Sequence, residues 1–221
     1  MTISSACSIS VAHRLAFSGS DAAMCGSSLR SHFVGSLEAL LEASYSTHFF
    51  SMLPDLLARH LNLVAFGTGA GTPSAQLGQY YAGPGNRFWP TLADVGLTPE
   101  RLVPADFERL LSFGIGLTDL VKHQSGSDRD LQFTIADALT FRRKIMSYQP
   151  WYLCFNGKRA AQEFFRRQEI EYGVQPARLG RTVLFVAPST SRAANGAWDL
   201  SVRRDLAARV CRPRGAGRSR K

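Results

Sequence analysis

Long apolar runs are missing from this 221-residue chain: no stretch approaches the roughly 18–20 consecutive apolar residues that a membrane-spanning helix needs. Cysteine is scarce and scattered. Cys7, Cys25, Cys154 and Cys211 form no CxxC pair and none of the close spacings that hold zinc or an iron–sulfur cluster, and they are too few for a disulfide framework in a chain this long. A reducing, intracellular compartment is expected, with Cys154 an ordinary buried residue of an apolar strand. Acids are also few, 17 against 26 Lys and Arg, leaving a formal charge of +9 and a pI near 9.9. Such an excess favours a polyanionic partner such as nucleic acid. With 45% hydrophobic residues, disorder throughout is excluded, and the length suits one domain with a full core plus tails.

Much of the charge is concentrated at one end. From Arg203 to Lys221 there are eight basic residues and one acid, Asp205. Residues 211–221 read as a basic flexible tail that adds salt-sensitive, sequence-independent affinity for nucleic acid. Residues 1–50 are rich in Ser and Ala and lack the apolar core of a secretory signal. They read as a poorly ordered extension or as sequence upstream of a start at Met24 or Met52, with a short amphipathic helix expected over 35–44.

Between them, residues 51–210 alternate short apolar runs with helical stretches. The runs at 61–67, 113–121, 151–155 and 182–187 each predict a buried strand, and helices are expected over Pro104–Leu111, Ile135–Ser147 and Lys158–Glu171. This pattern predicts a three-layer α/β domain with a central, mainly parallel sheet of four to five strands flanked by helices. Ligands of such sheets bind beyond the carboxyl ends of the strands. There the sequence places a glycine-rich loop (67–75), Thr118–Asp119, Asn156–Gly157–Lys158 and Pro188–Ser191.

The loop's glycines first suggest a phosphate or dinucleotide site. Yet Thr72 stands where the third glycine of GxGxxG belongs, no GK[ST] follows, and the aromatic-rich segment with Tyr80, Tyr81, Phe88 and Trp89 fills the interval to the next strand. Another reading fits the whole set. Glycines let backbone approach a flat ligand, a tyrosine can stack on its face, and an asparagine can donate to and accept from a pyrimidine edge. Ser and Thr with loop N–H groups can hold phosphate. Together these suit a base turned out of a nucleic-acid helix.

Five blocks in order, GTGAGTPSA (67–75), YYAGPGNRFW (80–89), GIGLTDLV (114–121), FNGK (155–158) and PSTSRAANGAW (188–198), make residues 61–210 resemble the uracil-DNA glycosylase superfamily, in its mismatch-specific uracil-DNA and thymine-DNA glycosylase branch. The resemblance implies a monofunctional glycosylase of base excision repair that flips a base such as uracil from DNA and hydrolyses its N-glycosidic bond. It implies a monomer acting on damaged DNA without metal or cofactor. The transition state carries positive charge on the sugar and negative charge on the departing base, so both must be stabilised and a water placed.

By position, Tyr81 resembles the aromatic that stacks on the flipped base, its alternative being a core aromatic. Asn156 resembles the base-edge reader, or is a strand-to-helix cap. Tyr80 takes the place of a family histidine near the base. Arg192 resembles the wedge, or contacts phosphate. Ser189, Thr190, Ser191 and Lys158 are expected on DNA, whereas Asn86, Arg87, Phe88 and Trp89 brace the fold.

Two positions depart from the branch's pattern. Gly69 stands where an Asn positions the attacking water and Ala70 where a proline follows it. Ala187 stands where relatives carry a His, Asn or Met before Pro-Ser. Backbone N–H groups of the 68–72 loop, with Gly69 and Ala70, would then face a carbonyl of the base, Thr68 and Gln79 would assist, and Asp119 would orient the water. As an alternative Asp119 caps or pairs with a cation. A catalytically silent relative that binds damaged or abasic DNA is the second functional reading.

Overall fold

All four apolar runs form strands, and a fifth strand joins them. A computed structural model describes residues 53–212 of the chain. The extension 1–50 with its expected helix, and all but the first two residues of the basic tail, lie outside the described residues.

The strands β1 (Leu63–Gly67), β2 (Ile115–Asp119), β3 (Tyr152–Asn156), β4 (Gly173–Leu179) and β5 (Thr182–Ala187) form one sheet in the order β2-β1-β3-β5-β4. All pairs are parallel except β4 with β5. Helices connect the parallel strands: α1 (Thr72–Leu77) and α2 (Phe88–Asp94) after β1, α3 (Ile135–Tyr148) after β2, and α4 (Lys158–Phe165) after β3. A last helix, α5 (Leu200–Val210), follows β5.

Each parallel strand is buried on both faces, which is why it reads as an unbroken apolar run rather than an alternation. In β1, Leu63 and Ala65 face one layer with Trp89, Leu110 and Leu206. Val64 and Phe66 face the other with Phe141, Ile145 and Phe164. The Phe66 ring lies 4.3 Å from that of Phe141 and 4.6 Å from that of Phe155.

Helix α3 begins where a capping box places it. The Thr134 hydroxyl accepts from the Asp137 N–H at 3.1 Å, and the Asp137 carboxylate accepts from the Thr134 N–H at 2.9 Å. Two expectations need correction. The segment expected as a helix over Pro104–Leu111 is a 3-10 helix running to Phe113. The helix expected over Lys158–Glu171 stops at Phe165, where Arg166 turns left-handed with φ 57°.

The chain then turns back as β4, the one strand with no apolar signature. It is mostly exposed, and Pro176 falls in its register shift between Val174 and Arg178. Proline cannot donate to a sheet ladder, so only an edge position accommodates this segment. No helix among the described residues is long and apolar enough to cross a membrane.

Parallel pairing brings the strand ends together. Gly67 lies opposite Asp119, and Asn156 opposite Ala187.

Candidate active site

The carboxyl ends of these strands open on a cleft of about 920 Å3, large enough for a nucleoside. Gly67 forms part of its floor. A β-carbon there would lie 3.5 Å from Asp119 Oδ1 and 4.0 Å from Tyr81 Oη. The bare glycine therefore leaves open the space that these two groups border.

Asp119 is 4% exposed. Burial, with a smaller contribution from Asp55, pushes its pKa up to about 6, against the opposing charges of Lys122 and Lys144 and a backbone hydrogen bond from Gly67. The nearby cations are themselves held. Asp55 accepts from Thr118 Oγ1 at 2.7 Å and lies 3.0 Å from Lys122 Nζ and 2.5 Å from Lys144 Nζ. Burial would raise Asp55, but these partners outweigh it and keep the group below the ordinary carboxylate range. Asp119 is thus a buried acid beside a cluster of one carboxylate and two lysines, and no cation among the described residues pairs with it directly.

Tyr81 stands beside it with φ 54°, a left-handed backbone that a bulky residue rarely adopts. One face of its ring stacks on Phe88, with centroids 3.9 Å apart and planes at 23°, and the partly buried residue packs against the core while lining the cleft. Its hydroxyl is buried and has no hydrogen-bond partner. Burial and the Asp119 charge push its pKa up, while Asn156 is close enough to favour the ionised form slightly without a hydrogen bond of normal geometry.

Asn156, half-buried at the end of β3, is held from three sides. Its Oδ1 accepts from the Thr190 N–H at 3.2 Å and from Arg203 Nη2, and its Nδ2 donates to Thr190 Oγ1 at 3.0 Å. Arg203 Nη2 also donates to the Pro188 carbonyl at 2.5 Å. Asn156 lines the cleft and ties β3 to the loop after β5; it does not cap the helix that follows, which starts after Gly157 with no side-chain cap.

The remaining predicted residues divide. Thr68 donates to Asp128 Oδ1 at 2.5 Å and is 9% exposed, so its hydroxyl is already committed. Ala70 lines the cleft and accepts from the Gly126 N–H at 2.9 Å. At Gly69 a β-carbon would meet Leu131 Cδ1 at 2.9 Å and the Val121 carbonyl at 3.4 Å. The space for a side chain at 69 is therefore filled by the loop after β2, which gives a steric reason for the glycine. Gln79 is outside the cleft lining.

Tyr80 is 1% exposed, donates to the Pro54 carbonyl at 3.0 Å and accepts from Lys122 Nζ at 3.1 Å. It is built into the wall of the cleft, with its hydroxyl spent. Thr190 is fully buried on Asn156, which removes it from the expected DNA-facing set. Ser189 is half-buried and lines the cleft, Ser191 is exposed there, and Arg192 is exposed with its stem across Gly85. Lys158 lies over the Tyr172 ring, 4.6 Å from Nζ to centroid, at the mouth. Arg129 and Arg159 join it there. Of the residues expected to brace the fold, Phe88 and Trp89 are buried and Arg87 lies over Trp198 at 5.2 Å, whereas Asn86, whose Oδ1 accepts from the Phe88 N–H at 3.0 Å, also lines the cleft.

Sequence reasoning missed Asp55, Lys122, Asp128 and Arg203 as members of this region. Arg203 left a readable signal. The buried face of α5 is Arg203, Leu206, Ala207 and Val210, a helical stripe with an arginine at its head.

Fold and cleft together define an α/β domain on a mostly parallel sheet, with a nucleoside-sized cleft at its strand ends, rimmed by cations. The sequence model of the uracil DNA glycosylase superfamily matches residues 54–206, and the chain belongs to that superfamily. Enzymes of the superfamily are N-glycosylase hydrolases, so membership points to DNA glycosylase chemistry of base excision repair.

Proposed function

We propose that the protein is a monofunctional, intracellular DNA glycosylase of the mismatch-specific branch that releases uracil, including uracil opposite guanine, by hydrolysis. The observation that carries this reading is Asp119, a buried carboxylate beside the open floor at Gly67 and next to the partly buried Tyr81 ring that lines the cleft. A flipped base stacks on the free part of Tyr81 with its sugar toward Asp119. The Asp119 carboxylate orients a water and stabilises the cationic sugar as the N-glycosidic bond breaks. The departing base leaves as an anion, facing the Asn156 amide. Ser189, Ser191, Arg192 and Lys158 hold the DNA backbone around the extruded nucleotide.

A buried acid suits this task, because a carboxylate with few competing partners is free to bind the water. Its pKa near 6 also sets a requirement on pH: the working form is lost as pH falls through about 6.

A second reading, a silent relative that binds damaged DNA, is favoured by Gly69 alone. No polar side chain stands there, and the Leu131 side chain fills its space. Labelled duplexes with uracil opposite A or G, single-stranded uracil, and duplexes with hypoxanthine or mismatched thymine separate the two. Alkali-labile sites after incubation support the glycosylase. Binding without any cleavage supports the silent relative.

A further inference from the structure

Arg203 is the most unusual charge in the described domain. It is 5% exposed and makes no ion pair with any described residue. Its Nε is buried without a partner, and burial lowers its pKa. A cation left in this state is costly unless its position serves something. What it touches is Asn156 Oδ1, the Pro188 carbonyl and, at 5.8 Å, the Trp198 ring.

The consequence lies in the direction of one amide. Arginine has only donors, and so has the Thr190 backbone N–H. Both bond to the same atom of Asn156, so that atom must be the oxygen and the amide cannot be turned over. Both lone-pair directions of Oδ1 are then occupied. One N–H of Nδ2 goes to Thr190 Oγ1, and the other is the only hydrogen-bonding group the side chain has left. A freely oriented asparagine reads a base edge with a donor and an acceptor; this one has only a donor to offer.

We infer that Arg203 is a positioning residue that locks Asn156 as a donor-only reader, so that the cleft selects bases presenting a carbonyl oxygen there and rejects those presenting an exocyclic amine. Uracil and hypoxanthine belong to the first class, cytosine and adenine to the second. An amine opposite the fixed N–H would leave two donors face to face, both desolvated. The same cation, transmitted through the amide, favours negative charge on the carbonyl oxygen. The inference deepens the glycosylase reading and rests on it for where the base sits.

Binding to duplexes that carry a 2′-fluoro-2′-deoxyuridine or a 2′-fluoro-2′-deoxycytidine tests it without requiring turnover, since both resist cleavage. The wild-type protein is expected to favour the uridine duplex by about tenfold or more, the effect of one lost hydrogen bond. Arg203→Met keeps the buried stem and leaves Asn156 Oδ1 with the Thr190 N–H as its one remaining donor, so the ratio should fall by about threefold or more, while Arg203→Lys, which retains a cationic donor, should restore most of it. A structural role alone would weaken binding to both duplexes equally. If Arg203→Met does not fold, Arg203→Gln, whose amide accepts as well as donates, no longer dictates which Asn156 atom faces it and should lower the ratio by about threefold or more. An unchanged ratio in a folded variant, or no wild-type preference, overturns the assignment.

Uracil cleavage by wild-type protein is scored separately. Discrimination without cleavage would sink the catalytic reading and leave the lock standing; cleavage with unchanged discrimination in Arg203→Met would do the reverse.

Discussion

The two sides of the cleft are built on opposite principles. At the ends of β1 and β2 stands a buried anion, Asp119, with its cations drawn off to Asp55 and an unbonded tyrosine hydroxyl beside it. At the ends of β3 and β5 stands a buried cation, Arg203, bonded through Nη2 to an amide and a carbonyl. Tyr81 lies between and feels both charges. One side keeps its polar groups loose, and the other fixes them. The difference suits a reaction in which positive charge develops on a sugar and negative charge on a base: an anion that must hold a mobile water needs free lone pairs, whereas a group that recognises a base needs a fixed direction.

The largest expected effect breaks the loose side. Asp119→Asn should slow single-turnover release of uracil about 100-fold or more while leaving affinity for the uracil duplex within about threefold. Near-normal rates would remove Asp119 from the reaction. The same variant should gain stability. Because folding raises the Asp119 pKa from 3.8 to about 6, the native state holds its proton more tightly, and stability falls as pH rises between these values. At neutral pH the substitution is worth up to roughly 3 kcal/mol, measurable by urea unfolding at pH 4 and pH 7.5.

Next comes the rate profile itself. The wild-type rate should fall below about pH 6 as the carboxylate is lost. Lys122→Met removes the largest opposing charge and should move that limb to higher pH; an unmoved limb would assign it to another group. Tyr81 then sharpens the boundary between the two sides. Tyr81→Ala should weaken substrate capture about tenfold through lost stacking. Tyr81→Phe keeps the ring, removes an unpartnered buried hydroxyl and should stabilise the fold by about 1 kcal/mol, seen as a higher Tm.

The smallest effect concerns the tail. Deleting residues 212–221 should weaken non-specific duplex binding and flatten its dependence on salt, without altering the ranking of lesions. An altered ranking would mean that the tail reaches the cleft.

Much of this molecule could be read from the chain. Four of the five strands announced themselves because burial on both faces leaves them mostly apolar, with polar residues only near their ends, and the strand-end blocks followed from the direction of a parallel sheet. β4 was silent because an edge strand with Pro176 has neither apolar face nor complete ladder. Asp119, Tyr81 and Asn156 were legible as types at positions, since strand ends and glycine loops are local features.

What the sequence by itself determined was therefore four strands of the sheet, their order along the chain and the end at which the cleft opens. The tertiary structure decided what each polar group is free to do. Thr68, Tyr80 and Thr190 looked available and are spent on Asp128, on Pro54 and Lys122, and on Asn156. Arg203 counted as one more cation of a basic end and is instead buried against Asn156, which lines the cleft. Hydrogen-bond capacity and burial depend on partners tens of residues away in the chain, and these are brought together only when the helices close on the sheet.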